Sequence, residues 1–165
     1  MTLTADELRR RTFERAIKLL AAKPRSVAEL RERLLERKGT TEEVVKTVIA
    51  RLREYGYLND ERFAFSYASL KVKQKPVGRR RVERDLKLKK VESGVANEAL
   101  ELVYAETTEE QLIDQAIAKR LRIRGRPKNR AEAKSLFDHL LRQGFAFELV
   151  SDKVRSLATD YTDED

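Results

Sequence analysis

The chemistry most available to this chain is electrostatic. Residues 71–90, KVKQKPVGRRRVERDLKLKK, hold ten Lys or Arg against only Glu83 and Asp85, so this stretch carries +8, the formal net charge of the whole chain. A second run, KRLRIRGRPKNRAEAK at residues 119–134, sets eight basic side chains against Glu132 alone. Runs of this kind capture polyanions: a Lys or Arg that meets a phosphate releases a condensed counterion, and Arg adds a flat fork of donors. The candidate face comprises Arg79, Arg80, Arg81, Arg84, Lys87 and Lys90 from the first run. The second contributes Arg120, Arg122, Arg124, Arg126, Lys128 and Arg130. Arg80, Arg84 and Lys87 stand at i, i+4 and i+7, which brings them together on one side of a helix, opposite much of the stripe formed by Val82 and Leu86.

Catalytic chemistry finds few parts. The chain has one histidine, His139, no cysteine, and neither a GxxxxGK[ST] nor a GxGxxG phosphate loop. The carboxylate pairs Glu42-Glu43 and Glu109-Glu110 fall where helices start, positions that favour acids through capping and the helix dipole. His139, beside Leu140, reads as a packing-boundary residue. No cofactor, no metal and no enzymatic activity are therefore expected. Without cysteine no disulfide forms, which suits a reducing cytoplasm. The first residues are charged from Asp6 on, and no long apolar run follows, so neither export nor a membrane span is expected.

The elements that must carry these charges are helices. A composition with 41% apolar residues, three Pro and six Gly leaves helical periodicity largely uninterrupted. Thr4 with Glu7 forms a capping box ahead of Phe13, Ala16, Ile17 and Leu20, a helix ending near Pro24. Ser26 with Glu29 opens a second helix through Val27, Leu30 and Leu34, stopped at Gly39. Thr41 caps a third, with Val44, Val45, Val48, Ile49 and Leu52, closed by Gly56.

The same pattern then returns twice. Leu30 and Leu34 align with Val82 and Leu86 and with Leu136 and Leu140; Val45, Ile49 and Leu52 align with Ala96, Leu100 and Val103, and with Val150, Val154 and Leu157. Asn59 caps a segment bearing Phe63, Tyr67 and Leu70, while Thr107 and Glu110 open one bearing Ile113, Ala116, Ile117 and Leu121. The expectation is an all-α protein of three tandem three-helix repeats: residues 1–58, 59–106 and 107–158. Each repeat is too small to bury much surface alone, so they are expected to stack into an elongated curved solenoid that caps its own ends as a monomer.

Two segments resemble a known family. GYLNDERFAFSYA at residues 56–68 and GRRRVERDLKLKKV at 78–91 are similar to the two motifs of the RecX family, bacterial regulators of the RecA recombinase. Gly56, Tyr57, Leu58, Asp60, Glu61, Arg62, Phe63 and Ala64 match the first; Gly78, Arg81, Val82 and Leu86 match the second, where Asp85 replaces the usual Glu. The resemblance covers about residues 12–158 and is weakest in the third repeat. It implies tandem three-helix repeats that lie in the groove of the RecA filament on single-stranded DNA and limit its assembly and activity, in the setting of DNA repair, homologous recombination and the SOS response. Gly56, Tyr57, Asp60, Arg62, Phe63 and Gly78 are expected to be structural, with Tyr57 and Phe63 packing between repeats and Asp60 favoured by the helix dipole.

Two other readings fit the charges. Three-helix modules resemble helix-turn-helix domains, so the chain could bind DNA by itself; GRRRVERDLK offers Arg and Lys for phosphates rather than a base-reading set, which favours nonspecific contact. An adaptor docking on an acidic protein surface is the other. At the C-terminus, Asp160, Asp163, Glu164 and Asp165 form an acidic tail, residues 159–165, expected to be disordered and to compete weakly with DNA for the basic face.

Overall fold

A computed structural model describes residues 2–158. Among these residues there are nine helices and no strands: α1 Ala5–Ala22, α2 Val27–Leu35, α3 Glu42–Glu54, α4 Asp60–Gln74, α5 Arg79–Leu88, α6 Ser93–Glu106, α7 Glu109–Arg124, α8 Arg130–Arg142 and α9 Phe147–Ala158. The protein is an all-α helical repeat. The acidic tail lies outside the described residues.

The helix starts follow from local chemistry. Thr4, Ser26, Thr41, Thr108 and Asn129 each turn a side-chain oxygen onto the backbone N–H three residues on, satisfying one of the donors a helix start leaves bare. Ser26 and Glu29 complete a reciprocal capping box, as do Thr108 and Gln111. The second pair corrects the expected start of α7 at Thr107 and Glu110. Thr107 still gives its N–H to the Val103 carbonyl at 3.1 Å and so belongs to the exit of α6.

The repeat columns are the core. Leu30 and Leu34, Val82 and Leu86, and Leu136 and Leu140 are all buried, as are Val45, Ile49 and Leu52 with their counterparts Ala96, Leu100, Val103, Val150 and Val154. Leu70 departs from its column: it is 56% exposed, because α4 buries Ala64 and Ala68 and turns its apolar side away from Leu70.

By compactness the chain divides into two units. One holds the chain through Ala64 together with Leu86–Ala96; the other holds Phe65–Asp85 and the chain from Asn97 on, so the division runs through α4, α5 and α6. In the first unit α1 and α2 pack on α3 around Ala16, Leu30, Leu34, Val45, Val48 and Leu52. Here the buried Ser26 hydroxyl also donates to the Lys89 carbonyl at 2.6 Å, fastening residues 86–96 to the cap of α2. In the second unit α8 packs on α7 and α9, and Leu112, Ile113, Leu140, Phe145 and Val150 are at most 1% exposed.

Candidate functional site

The start of α5 is held by backbone contact. Gly78 donates its N–H to the Gln143 carbonyl at 2.8 Å, and Arg80 donates to the Gly144 carbonyl at 3.2 Å. No side chain fits between these backbones: a Cβ on Gly78 would stand 2.1 Å from the Gly144 carbonyl carbon. The buried Tyr104 hydroxyl donates to the Val77 carbonyl at 2.9 Å, and burial pushes its phenol well above the usual tyrosine range. The Arg79 backbone N–H finds Glu109 Oε1 at 2.8 Å. The carboxylate of Glu109 thus serves another helix's start as well as its own dipole.

This anchoring sorts the arginines of the first run. Arg79 reaches Asn97, and Arg81 donates from Nη1 to Gln143 Oε1 at 2.8 Å; both are half-buried. Lys90 has a left-handed backbone, φ 58°, where the third repeat places Gly144, and its Nζ pairs with Glu32. Arg80, Arg84 and Lys87 remain exposed, while Val82 and Leu86 between them are buried at 1% and 0% exposure. The predicted two-sidedness of this helix is present, and the three cations make no ion pair or side-chain hydrogen bond among the described residues.

The second run ends α7 and crosses to α8. Gly125 closes α7 with φ 76°, Pro127 is buried, and Asn129 caps α8. Arg122, Arg124, Arg126, Lys128 and Arg130 are exposed, whereas Arg120 is half-buried. Arg120 helps line a pocket of 200 Å³ together with Lys75, Pro76, Lys119, His139 and Gln143. Charge repulsion is written into this corner. Arg81, burial, Lys71 and Lys119 lower the Lys75 pKa; partial burial, then Arg124 and Arg142, lower that of Arg120. His139 is pushed below the usual imidazole range by partial burial first and then by Arg120, Arg142 and Arg124. The expected packing-boundary histidine is half-buried, and it also faces a cationic pocket. Lys75, Lys119 and Arg142 complete the constellation, although sequence reasoning left them out of the site. The signal for the two lysines was their place inside the runs, and for Arg142 its position one helical turn after the sole histidine.

Some basic residues outside the runs are paired. In the first unit Arg9, Arg10, Arg11, Arg31 and Arg33 pair with Asp6, Glu14, Glu7, Glu42 and Glu36. Surface pairs like these contribute little to stability, but they cancel field. Within the two runs Lys89, Lys90 and Lys134 are paired in the same way, with Glu29, Glu32 and Asp138.

The residues of the first motif make local and long-range contacts. Asn59 caps α4 through the Arg62 N–H at 2.8 Å, and Arg62 donates from Nη2 to the Gly56 carbonyl at 2.6 Å, closing the turn. Asp60 does more than meet a helix dipole: its Oδ1 accepts the Val27 N–H at 2.9 Å, capping α2 from another helix. Phe63 is buried, but Tyr57 is 58% exposed and makes an edge contact with the exposed Tyr55, so it is not an interior packing residue. Desolvation raises the Asp60 pKa, against the Val27 hydrogen bond that lowers it. The folded state therefore holds this proton to higher pH than the unfolded chain, and the Asp60 contribution falls as pH rises through the folded pKa. Asp60→Asn keeps the acceptor and is expected to remove that fall. Asp60→Ala strands a backbone donor and is expected to cost about 1 to 3 kcal/mol in urea unfolding.

Among the described residues no group of His, Cys, Asp and Glu is placed to hold a metal ion, and no helix is long and apolar enough to cross a membrane. Profiles of the first and the second RecX three-helix domain match residues 13–52 and 59–100. The chain belongs to the RecX family. The regulatory protein RecX of Amycolatopsis mediterranei is 29% identical over 164 residues, 97% of this chain and 93% of the relative. That of Bacillus licheniformis is 28% identical over 153 residues, 93% of this chain and 57% of the relative. The chain spans a little over half the length of the Bacillus relatives it matches. The crystal structure of RecX from Lactobacillus salivarius shares the fold at a TM-score of 0.80 and 18% identity, covering 93% of this chain and 99% of that one.

Proposed function

We propose that this RecX-family chain is a regulator, mainly a negative modulator, of the RecA recombinase. It binds the groove of the RecA filament on single-stranded DNA and limits filament assembly and activity, acting in the cytoplasm as a monomer and without catalysing a reaction itself. Its working parts are three three-helix modules, residues 1–58, 59–106 and 107–158, with the contact face carried by the basic runs of the second and third. The observation that supports this most is the density of exposed, unpaired cations in the two runs. Arg80, Arg84, Lys87, Lys119, Arg122 and Arg124 are all exposed and stand without a carboxylate partner among the described residues. A filament groove offers protein surface and phosphates side by side, and such a set can meet the phosphates without the base-reading side chains it lacks. The test is the ATP turnover of the recombinase on single-stranded DNA: a fall on adding this protein supports the reading, and an unchanged rate at several-fold excess contradicts it.

A further inference from the structure

The pocket lined by Lys75, Lys119, Arg120, His139 and Gln143 lies within the second unit and is small. Its 200 Å³ falls below the roughly 300 to 1,000 Å³ of pockets that enclose a whole drug-sized ligand. It suits a single charged group. No carboxylate lines it; Pro76, Ala116 and Ile123 supply the apolar wall. The nearest acids have other engagements. Asp138, next to His139 in the chain, accepts from Lys134 at 2.8 Å. Glu132 faces the adjoining cleft with Arg120 and Arg124, and Asp85 acts on Lys75 while accepting the Tyr67 hydroxyl. Like charges gathered in this way repel one another, and an anion in their midst relieves the repulsion.

We propose that this pocket seats one phosphodiester of a single-stranded nucleic acid, and that His139 takes up a proton as the phosphate enters. The proposal rests on the nucleic-acid contact included in the proposed function and deepens it. A phosphodiester fits better than an isolated anion because the cations continue past the pocket along α7 through exposed Arg122 and Arg124, so a ligand with a charge at every unit has somewhere to go. His139 is faced by Lys119, Arg120 and Arg124 from α7, by Arg142 from its own helix and by Lys75 from the exit of α4. Burial and these guanidinium groups keep the free imidazole neutral near neutral pH. An incoming anion opposes the guanidinium repulsion and adds an attractive partner, so the proton is held to higher pH in the complex than in the free protein. Affinity therefore rises as pH falls through the interval between the two midpoints, and is flat above it.

His139 is the only histidine of the chain, so its ring resonances can be followed by NMR without assignment ambiguity. The protein is titrated with pH alone and with a saturating short oligothymidylate at low salt. The expected result is a His139 midpoint that moves upward with the oligonucleotide, and does not move in the Lys119→Ala/Arg120→Ala variant. Binding by the native protein should tighten by about threefold between about pH 7.5 and pH 6, with no such change in His139→Gln. Saturation with an unmoved midpoint would overturn the pocket assignment while leaving nucleic-acid binding in place. No binding at low salt would overturn the underlying contact as well. An equal shift with poly-glutamate, or a larger one with inorganic phosphate, would overturn the phosphodiester as the occupant.

Discussion

Gly78→Ala is expected to abolish stable folding of the second unit. The added carbon would lie 2.1 Å from the Gly144 carbonyl carbon, 2.2 Å from its oxygen and 2.2 Å from the Phe145 nitrogen, all of them backbone atoms. A flexible side chain could swing aside, but here two chain segments must separate. Separation breaks the bonds from Gly78 to Gln143 and from Arg80 to Gly144, and opens the packing around Val77 and Phe145, each 1% exposed. Overpacking alone costs about 1 to 3 kcal/mol, and each lost backbone bond that leaves a buried group unpaired adds about 1 to 3 kcal/mol. Against a total stability of about 5 to 15 kcal/mol for a domain, this substitution is expected to leave a protein largely unfolded by circular dichroism. Gly94→Ala is the control: its new carbon would meet only the flexible Glu92 carboxylate at 3.1 Å, within the first turn of α6. A small gain is expected there, about 0.5 to 1 kcal/mol. A melting temperature for Gly78→Ala close to that of the native protein would show that the two backbones do not pass as described.

Replacing Arg80, Arg84 and Lys87 together by Ala is expected to have the largest effect on binding with the least on stability. All three are exposed and unpaired among the described residues, so the fold should lose about 0.5 kcal/mol or less per site. Each phosphate contact on a single strand contributes about 0.7 to the slope of log affinity against log salt. Three contacts removed should lower that slope by about 2 and weaken oligothymidylate binding about 100-fold at about 0.1 M salt. The same substitutions at Arg10, Arg11 and Arg31, whose guanidinium groups already face carboxylates, should change the slope much less. A triple variant that binds as tightly as the native protein, with an unchanged slope, would place the contact elsewhere.

The sequence carries most of the fold because its signals are local. Leu30, Leu34, Val82, Leu86, Leu136 and Leu140 repeat at helical spacing between recognisable caps and stops, and all six are buried. Where local signals compete or depend on distant partners, the structure departs from them. Thr107 and Thr108 are adjacent, and only the Gln111 side chain three residues on decides for the second. Leu70 continues the spacing of Phe63 and Tyr67, but the neighbours of α4 lie on the side of Ala64 and Ala68, and periodicity alone does not reveal which of two apolar stripes meets the core. Asp60 shares a motif with Arg62, yet its partner Val27 is thirty-three residues earlier. The site is legible to the same degree. The unpaired face of α5 follows from i, i+4, i+7 spacing, whereas the removal of Arg79 and Arg81 into packing depends on Glu109, Asn97 and Gln143, which only tertiary structure brings near. The pocket around His139 joins residues from three segments and has no contiguous signature.

Regulation of the recombinase is read most directly from steady-state ATP turnover by RecA on circular single-stranded DNA, with this protein added either with the recombinase or after filaments have formed. Turnover is expected to fall in a dose-dependent way with the native protein, and to fall far less with Arg80, Arg84 and Lys87 replaced by Ala at equal concentration and equal melting temperature. Turnover that stays constant at several-fold molar excess of native protein in both orders of addition would contradict it.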